Sequence, residues 1–306
     1  MQRYIASRVI QAIFSILVVA LVIFLLSRLS GDPLDLLLET GSTMEDKLNL
    51  KRHLGLDKSL AEQFWVFISH AVRGDLGISI VTREPVIKVL FERGIATFQL
   101  GLVAFSVSLL ISVPAGIYSA VKRGTFFDLV FRVIAISGQS IPVFWLGLML
   151  ILLFGVVLHI LPTSGAGGPQ HLILPSITLG WYVAAGIMRL TRTSMLEVLR
   201  TEYIQLARAK GVSDFKVIWK HGFKNAALPI LTFAVLLFVM MLGGAVVTET
   251  VFAWPGLGRL VIQSVMWRDY PVVQGVVLLL SSLYILGNLI VDILYAYLNP
   301  KIRYGD

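Results

Sequence analysis

The sequence contains no cysteine, which excludes disulfides and thiolate metal sites and leaves the redox compartment open. It is also poor in charge. Only 14% of its 306 residues are Asp, Glu, Lys or Arg, against about 25% in an ordinary soluble domain. Apolar residues make up 57%, and the mean hydropathy is +0.83. A soluble fold of this size has no core large enough to hide so much apolar sequence. A soluble enzyme, a disordered protein and a disulfide scaffold are therefore excluded, and a polytopic membrane protein remains. Catalytic signatures are missing as well. There is no GxxxxGK followed by Ser or Thr, so no phosphate loop for ATP. There is also no HExxH, no GxSxG and no pair of intramembrane aspartates.

What is present is a series of charge-free runs: Val9 to Ser27, Gly94 to Val121, Val133 to Met188, Asn225 to Thr248 and Tyr270 to Val291. One crossing takes roughly 20 mostly apolar residues. The third run is too long for one helix, and the turn cluster Pro162-Thr-Ser-Gly-Ala-Gly-Gly-Pro169 divides it into spans at about 134–160 and 172–192. An all-α membrane protein with six transmembrane helices is expected, with both termini on one side. The first helix is preceded by Arg3 and Arg8 and followed by Arg28 with no small-residue cleavage site, so it reads as an uncleaved span rather than a signal peptide. With the termini inside, the inner side carries 15 basic residues against 6 acidic ones, and the outer side 11 against 12. The positive-inside rule favours that placement. Topology thus accounts for the net charge of +8, and no nucleic-acid partner is needed.

Two segments between spans exceed simple connectors. The outer one, 31–93, has Leu60, Phe64, Phe67, Ile68 and Ala71 at helical spacing, so a short amphipathic helix is expected. With Trp65 it lies on the outer membrane face or packs on the bundle as a cap. The inner one, Arg189 to Lys224, reads as two helical pieces meeting at Gly211. Tyr203, Leu206 and Ala207 share a face with Lys210 and Gly211. Ser213 is a candidate N-cap for the second piece, whose apolar side carries Phe215, Ile218 and Trp219. Pattern alone leaves two readings open: a docking corner for another protein, and an amphipathic helix resting among anionic headgroups.

Candidate chemical groups are few. His159 and His171 flank the outer turn and read as interfacial residues in preference to a metal pair. Ser137 and Ser140 lie near a span, but no histidine partner for an intramembrane protease accompanies them. Charge at membrane depth is costly, which singles out Glu249 and Asp292. Asp292 is expected to pair with a basic inner residue. Glu249, beside Thr248 and Thr250, either lines an outer vestibule or is solvated. Gly243, Gly244 and Gly147 suit close helix packing. Pro114 and Pro142 interrupt the second and third spans. Such helices suit a path that opens and closes, and they occur in rigid membrane proteins too.

Ala207-Arg-Ala-Lys-Gly211 followed by Lys220-His-Gly-Phe-Lys-Asn-Ala-Ala-Leu-Pro229 resembles the cytoplasmic "EAA" loop of ATP-binding-cassette importer permeases. Flanking motifs sharpen the likeness: Ser30-Gly-Asp-Pro33, Leu54-Gly-Leu-Asp57, Gly74-Asp-Leu-Gly-Ile-Ser79, Phe252-Ala-Trp-Pro-Gly-Leu-Gly-Arg259, Arg268-Asp-Tyr-Pro271 and Asn299-Pro300. In this order they resemble the B-type permease subunit of the dipeptide/oligopeptide/nickel family, and are similar to its glutathione and peptide permeases. One departure is Gln205, where the generic loop has a Glu six residues before the glycine. The Leu-Pro pair also lies further from Gly211 than in sugar permeases.

The resemblance implies a type I importer permease fold. Its parts would be an N-terminal helix (1–30), a periplasmic segment (31–93), a five-helix core (94–298) with a coupling loop at about 193–224, and a cytoplasmic tail (299–306). It implies a multi-pass protein of a bacterial inner membrane with both termini cytoplasmic. The partners would be a second, homologous permease in a heterodimer, two ATPase subunits and a periplasmic binding protein. This chain would bind no cofactor or metal and catalyse nothing; ATP and Mg would sit on the partners. The coupling residues would be Tyr203, Ala207, Arg208, Ala209, Lys210, Gly211, Val212, Asp214, His221 and Asn225. Gly243, Gly244 and Glu249 are placed on the translocation path. Peptides are the expected cargo, with glutathione and nickel chelates as alternatives. A secondary carrier or channel is the reading from a different class, but internal repeats and midplane ions do not stand out in the sequence.

Overall fold

A computed structural model describes residues 2–29, 45 and 57–298, with side chains described from 4 to 293 within those limits. The motif Ser30 to Pro33, residues 54–56 of the Leu54 to Asp57 motif, Asn299-Pro300 and the tail 299–306 lie outside the described residues. The described helices are α1 (Gln2–Leu29), α2 (Leu60–Val72), α3 (Val86–Val121), α4 (Phe126–Ser140), α5 (Val143–Leu150), α6 (Gln170–Leu199), α7 (Glu202–Ala209), α8 (Asp214–Lys216), α9 (Lys224–Val251), α10 (Leu257–Met266) and α11 (Tyr270–Leu298). Wider π-helical turns extend α5 over Ile151–Val157 and join α8 to α9 over Val217–Phe223. Among the described residues there is no strand, only one isolated bridge between Ile78 and Pro85. Helices dominate because a bilayer offers no water to backbone N–H and C=O groups, which helical bonds satisfy internally.

Among the described residues, five helical stretches are long and apolar enough to cross a membrane: Tyr4–Leu29, Val86–Val121, Gln170–Leu199, Asp214–Val251 and Tyr270–Ile293. The expected third span is not one straight helix. Phe126–Ser140 and Val143–Val157 meet at a bend of 109°. Pro142 sits at the break, where it cannot donate a backbone hydrogen bond. Pro114, by contrast, is carried within α3.

The chain forms two compact units. The first comprises Met1–Ala96 and Gly256–Ile293. Here α1 keeps Ala20 and Phe24 buried and leaves Phe14, Leu17, Leu21 and Leu25 exposed, as a lipid-facing helix does. The amphipathic helix expected from Leu60 onward is α2. It opens with a reciprocal cap: Ser59 Oγ accepts from Glu62 N at 3.3 Å, and the Glu62 carboxylate accepts from Ser59 N at 3.1 Å. Phe64 and Phe67 pack on Phe24 of α1 at 5.5 and 5.9 Å between ring centroids. The core of this unit is Val86, Val89, Leu90, Leu257, Leu260, Val272 and Val276. Asp269 accepts from Ser79 Oγ at 2.5 Å and from Ile80 N at 3.1 Å, which ties two of the sequence motifs together. Arg8 pairs with Asp292 at 3.3 Å, as expected for that acid. Gln274 donates to the Ser27 hydroxyl.

The second unit comprises Thr97–Pro255 and Leu294–Asp306. Its helices approach each other through small residues. A methyl group at Gly116 would come within 2.7 Å of Met188 O and of Thr191 Cβ, so α3 and α6 touch nearly backbone to backbone there. Elsewhere along the same pair of helices, Ser108 Oγ donates to Ala104 O and to Gly180 O at 2.7 and 2.9 Å. Gly147 of α5 faces Phe252, Thr178 and Val251, all within 3.3 Å of where its Cβ would stand. Close packing at Gly147 is thus present in the structure.

Candidate functional site

The inner segment folds as helix, corner and helix. The helix α7 ends in a glycine cap: Gly211 has φ +76°, its N–H donates to Arg208 O at 2.9 Å, and Val212 N donates to Ala207 O at 3.2 Å. These paired bonds satisfy carbonyls that the helix end would otherwise strand, and the left-handed conformation they need suits a residue without Cβ. Among the described residues nothing lies within 4 Å of where a Gly211 side chain would be. Ser213 is the N-cap residue of α8, as expected, and its carbonyl accepts from Val217 N at 3.0 Å, but its side chain makes no capping bond. That second piece does not stop before the fifth span. It continues through the π-helical turns at 217–223 into α9 as one stretch, Asp214–Val251.

The corner stands on a buried footing. Ile204 and Val217 are fully buried, and Gly222 lets the π-helical turns close on Met195 and Leu199 of α6. Outward, the corner is open. Tyr203, Arg208, Ala209, Lys210, Gly211, Asp214 and Asn225 are exposed, while Ala207, Val212 and His221 are partly so. Asn225 Nδ2 donates to His221 O at 2.7 Å, and Arg208 approaches Asp214 across the corner at 3.7 Å. Gln205, standing where the generic loop has Glu, is exposed, and its amide approaches Arg200 O at 3.4 Å. Beside the corner Phe215 and Trp219 are 72% and 39% exposed, and an aromatic ladder runs Phe215, Trp219, Phe223 with centroids 6.3 and 5.7 Å apart. The corner thus sets small residues next to exposed rings on a footing of two buried aliphatic side chains, a combination of shape and exposure that a protein partner can bind. Its basic groups alone would also suit headgroups, but the rings and the rigid cap give shape as well as charge.

The three residues placed on a path separate into two kinds. Glu249 is not solvated: it is fully buried, and Thr97 Oγ1 donates to its carboxylate at 2.6 Å. Gly243 and Gly244, expected to let helices pack closely, are instead exposed, with nothing among the described residues within 4 Å of where a Cβ would stand. Their helix face continues through the exposed Met240 and Val247. At the outer turn, Gly168 N donates to His171 Nδ1 at 3.2 Å, and His159 adopts φ +54°.

Sequence reasoning missed one feature of this unit. Asp128, which the sequence presents only as a loop charge, is 1% exposed and receives Arg192 in a two-pronged ion pair, Nε to Oδ1 at 2.8 Å and Nη2 to Oδ2 at 3.0 Å. The available signal is a lone acid among three basic residues at an inner turn.

Comparisons with known proteins agree with this architecture. The family described as "Binding-protein-dependent transport system inner membrane component" matches residues 112–304, and its N-terminal companion matches 1–101. Proteins named glutathione transport system permease protein GsiC from Escherichia coli K12 and from E. coli O6:H1 are each 45% identical over 99% of this chain and 100% of their own length. One from Shigella boydii serotype 4 is 44% identical over the same shares. Among solved structures, the MetNI methionine ABC transporter in an inward-facing conformation aligns with a TM-score of 0.53 at 22% identity, over 67% of this chain and 96% of the matched one. That likeness is one of fold, and the fold is that of a type I importer permease.

Proposed function

Because the chain belongs to the family of binding-protein-dependent transport system inner membrane components, we propose that it is one of two homologous permease subunits of an importer for small peptides, driven by two separate ATPases and fed by an external binding protein. It is a multi-pass protein of the inner membrane. Taking the bent pair α4 and α5 as one span, both termini and the corner at 202–225 face the cytoplasm, in line with the excess of basic residues on that side. The chain carries no phosphate loop, so ATP and Mg belong to the partners, and this subunit supplies the path. The single observation that carries the reading is the exposed Gly211 corner on its buried footing, where an ATPase docks. Closure of the ATPases on ATP moves the two permease halves as rigid bodies between inward- and outward-open states. The open face at Gly243 and Gly244 is then the face turned to the second permease and the path.

A glutathione cargo is the second reading. Glutathione is itself a tripeptide, and the relatives at 45% identity are named for its transport. Affinity capture of the tagged chain from gently solubilised membranes tests both layers. A second permease, two ATPases and a binding protein in the eluate are the expected result, and titration of that binding protein with tripeptides and glutathione ranks the cargo. A homo-oligomer free of ATPase would sink the importer reading in favour of a carrier or channel.

A further inference from the structure

The Asp128 carboxylate lies in the first turn of α4, almost wholly withdrawn from solvent, and the polar groups around it converge on it. Arg192 of α6 makes the two-pronged contact, and its Nε also reaches Ser119 Oγ at 3.1 Å. Ser119 of α3 donates to Oδ1 at 2.7 Å, and Gly124 N, in the turn joining α3 to α4, donates to Oδ2 at 3.0 Å. Arg132 approaches at 3.7 Å from the solvent side. Three elements, the end of α3, the start of α4 and the lower part of α6, are thus fastened at one carboxylate.

A buried ion pair is a weak source of stability, because the desolvation of both charges offsets most of their attraction; well-packed apolar residues would hold the helices as firmly. What a planar guanidinium on a planar carboxylate adds is orientation. The position gives that orientation a use. One and two turns further along α6, Met195 and Leu199 receive Gly222 of the docking corner. In the other direction, Thr191 and Met188 lie against Gly116 of α3. From the corner through Gly222 to α6, and through the clamp to α3 and α4, packed contacts and hydrogen bonds follow one another without a gap.

We propose that the Asp128–Arg192 clamp is the joint that passes movement of the ATPase-docking corner into α3 and α4, with Asp128 a positioning residue for coupling rather than part of the docking surface. This inference rests on the importer reading above.

The test uses the absence of cysteine. Spin labels at Arg123→Cys and Glu197→Cys, both exposed, report the distance across the clamp in the assembled transporter in nanodiscs, without nucleotide and trapped with ATP and vanadate. The distribution in the parent protein should be narrow and the same in both states. Asp128→Asn should broaden it while assembly and basal ATP hydrolysis persist. Transport of radiolabelled glutathione or tri-alanine per ATP should fall about tenfold, in the range that coupling networks show. Arg192→Lys, which keeps the charge but loses the fork, should fall between. If Asp128→Asn does not reach the membrane, the apolar double variant Asp128→Leu with Arg192→Met carries the test, since it should fold without the charge pair. A narrow distribution with parental transport per ATP in either variant overturns the proposal. The label distance is read on the chain itself, so a parent chain that captures no ATPase would remove the importer reading without being mistaken for failure of the clamp.

Discussion

The corner at 202–225 and the clamp at Asp128 lie in one compact unit and treat polarity in opposite ways. At the corner Arg208, Lys210 and Asp214 are exposed, and the ion pair of Arg208 with Asp214 spans 3.7 Å across a glycine cap. At the clamp a single carboxylate is 1% exposed and satisfied by an arginine, a hydroxyl and a backbone N–H. Exposed charge in high dielectric contributes little to holding a fold, whereas a buried charge that loses its partner is strongly destabilising. The corner is therefore free to be a recognition surface, because changing it costs the fold little. The clamp is a geometric element, because changing it disturbs what it orients.

The largest expected effect sharpens this contrast. Phe215→Ala with Trp219→Ala removes two rings of the aromatic ladder that are 72% and 39% exposed. Thermal stability in detergent should fall by no more than about 1–2 kcal/mol, the loss of ring contacts within the ladder. Capture of the ATPases should weaken by more than about tenfold, as loss of an aromatic anchor does at interfaces. A fall in stability beyond that range would make these rings part of the core instead.

Next is the corner's backbone. Gly211→Val forces a β-branched residue into φ +76°, at a cost of about 1–2 kcal/mol from the left-handed conformation alone, since no neighbour among the described residues stands within 4 Å. Transport should fall while ATP hydrolysis continues. Gly211→Asn, which tolerates that conformation, should retain most transport. Identical loss in both variants would locate the requirement in the small surface rather than in the backbone.

A comparison on the buried side is Thr97→Val, which takes one donor from the Glu249 carboxylate at nearly constant volume. It should destabilise the chain by about 1–3 kcal/mol, the penalty for under-satisfying a buried polar group. Melting of the purified chain reads this directly, and no change would mean that Glu249 is fully served by other partners.

The smallest effect belongs to an exposed carboxylate of the first unit. The Gly77 N–H, and after it the His70 side chain, hold Asp75 below the usual carboxylate range. Stability from these bonds is complete above the unfolded carboxylate pKa of about 3.9 and is lost as pH falls through the lower folded value. Asp75→Asn should flatten that acid-side loss slightly and leave neutral-pH stability nearly unchanged, because the group is well exposed. A large change at neutral pH would contradict a solvated role.

Much of the fold is legible in the sequence. Charge-free runs locate the membrane helices, since twenty apolar residues without charge have few other uses. The spacing of Leu60, Phe64, Phe67, Ile68 and Ala71 locates α2, and the position of Asp292 near the inner boundary anticipates a basic partner, which is Arg8. Gly211 marks the corner because a glycine after a helical pattern is a local signal. Less is legible where the chain returns on itself. Pro142 signals an interruption of one span, but nothing local announces a bend of 109°. The sequence leaves Glu249 between a vestibule and solvent, whereas in the fold it is buried and bonded to Thr97, far away in the chain. Gly243 and Gly244 have the pattern of packing residues, yet they face outward in this chain.

Three properties follow from residues that are neighbours in the chain: a helical membrane protein, the approximate limits of its spans, and a glycine-capped corner projecting between two of them. Period, length and local backbone chemistry are enough to specify each. Three others do not follow from any local pattern: the meeting of Asp128 with Arg192 in one site, the burial of Glu249, and the division of the glycines into packed and open ones. These depend on which helices come to lie side by side, and that is settled by the joint packing of many side chains far apart in sequence.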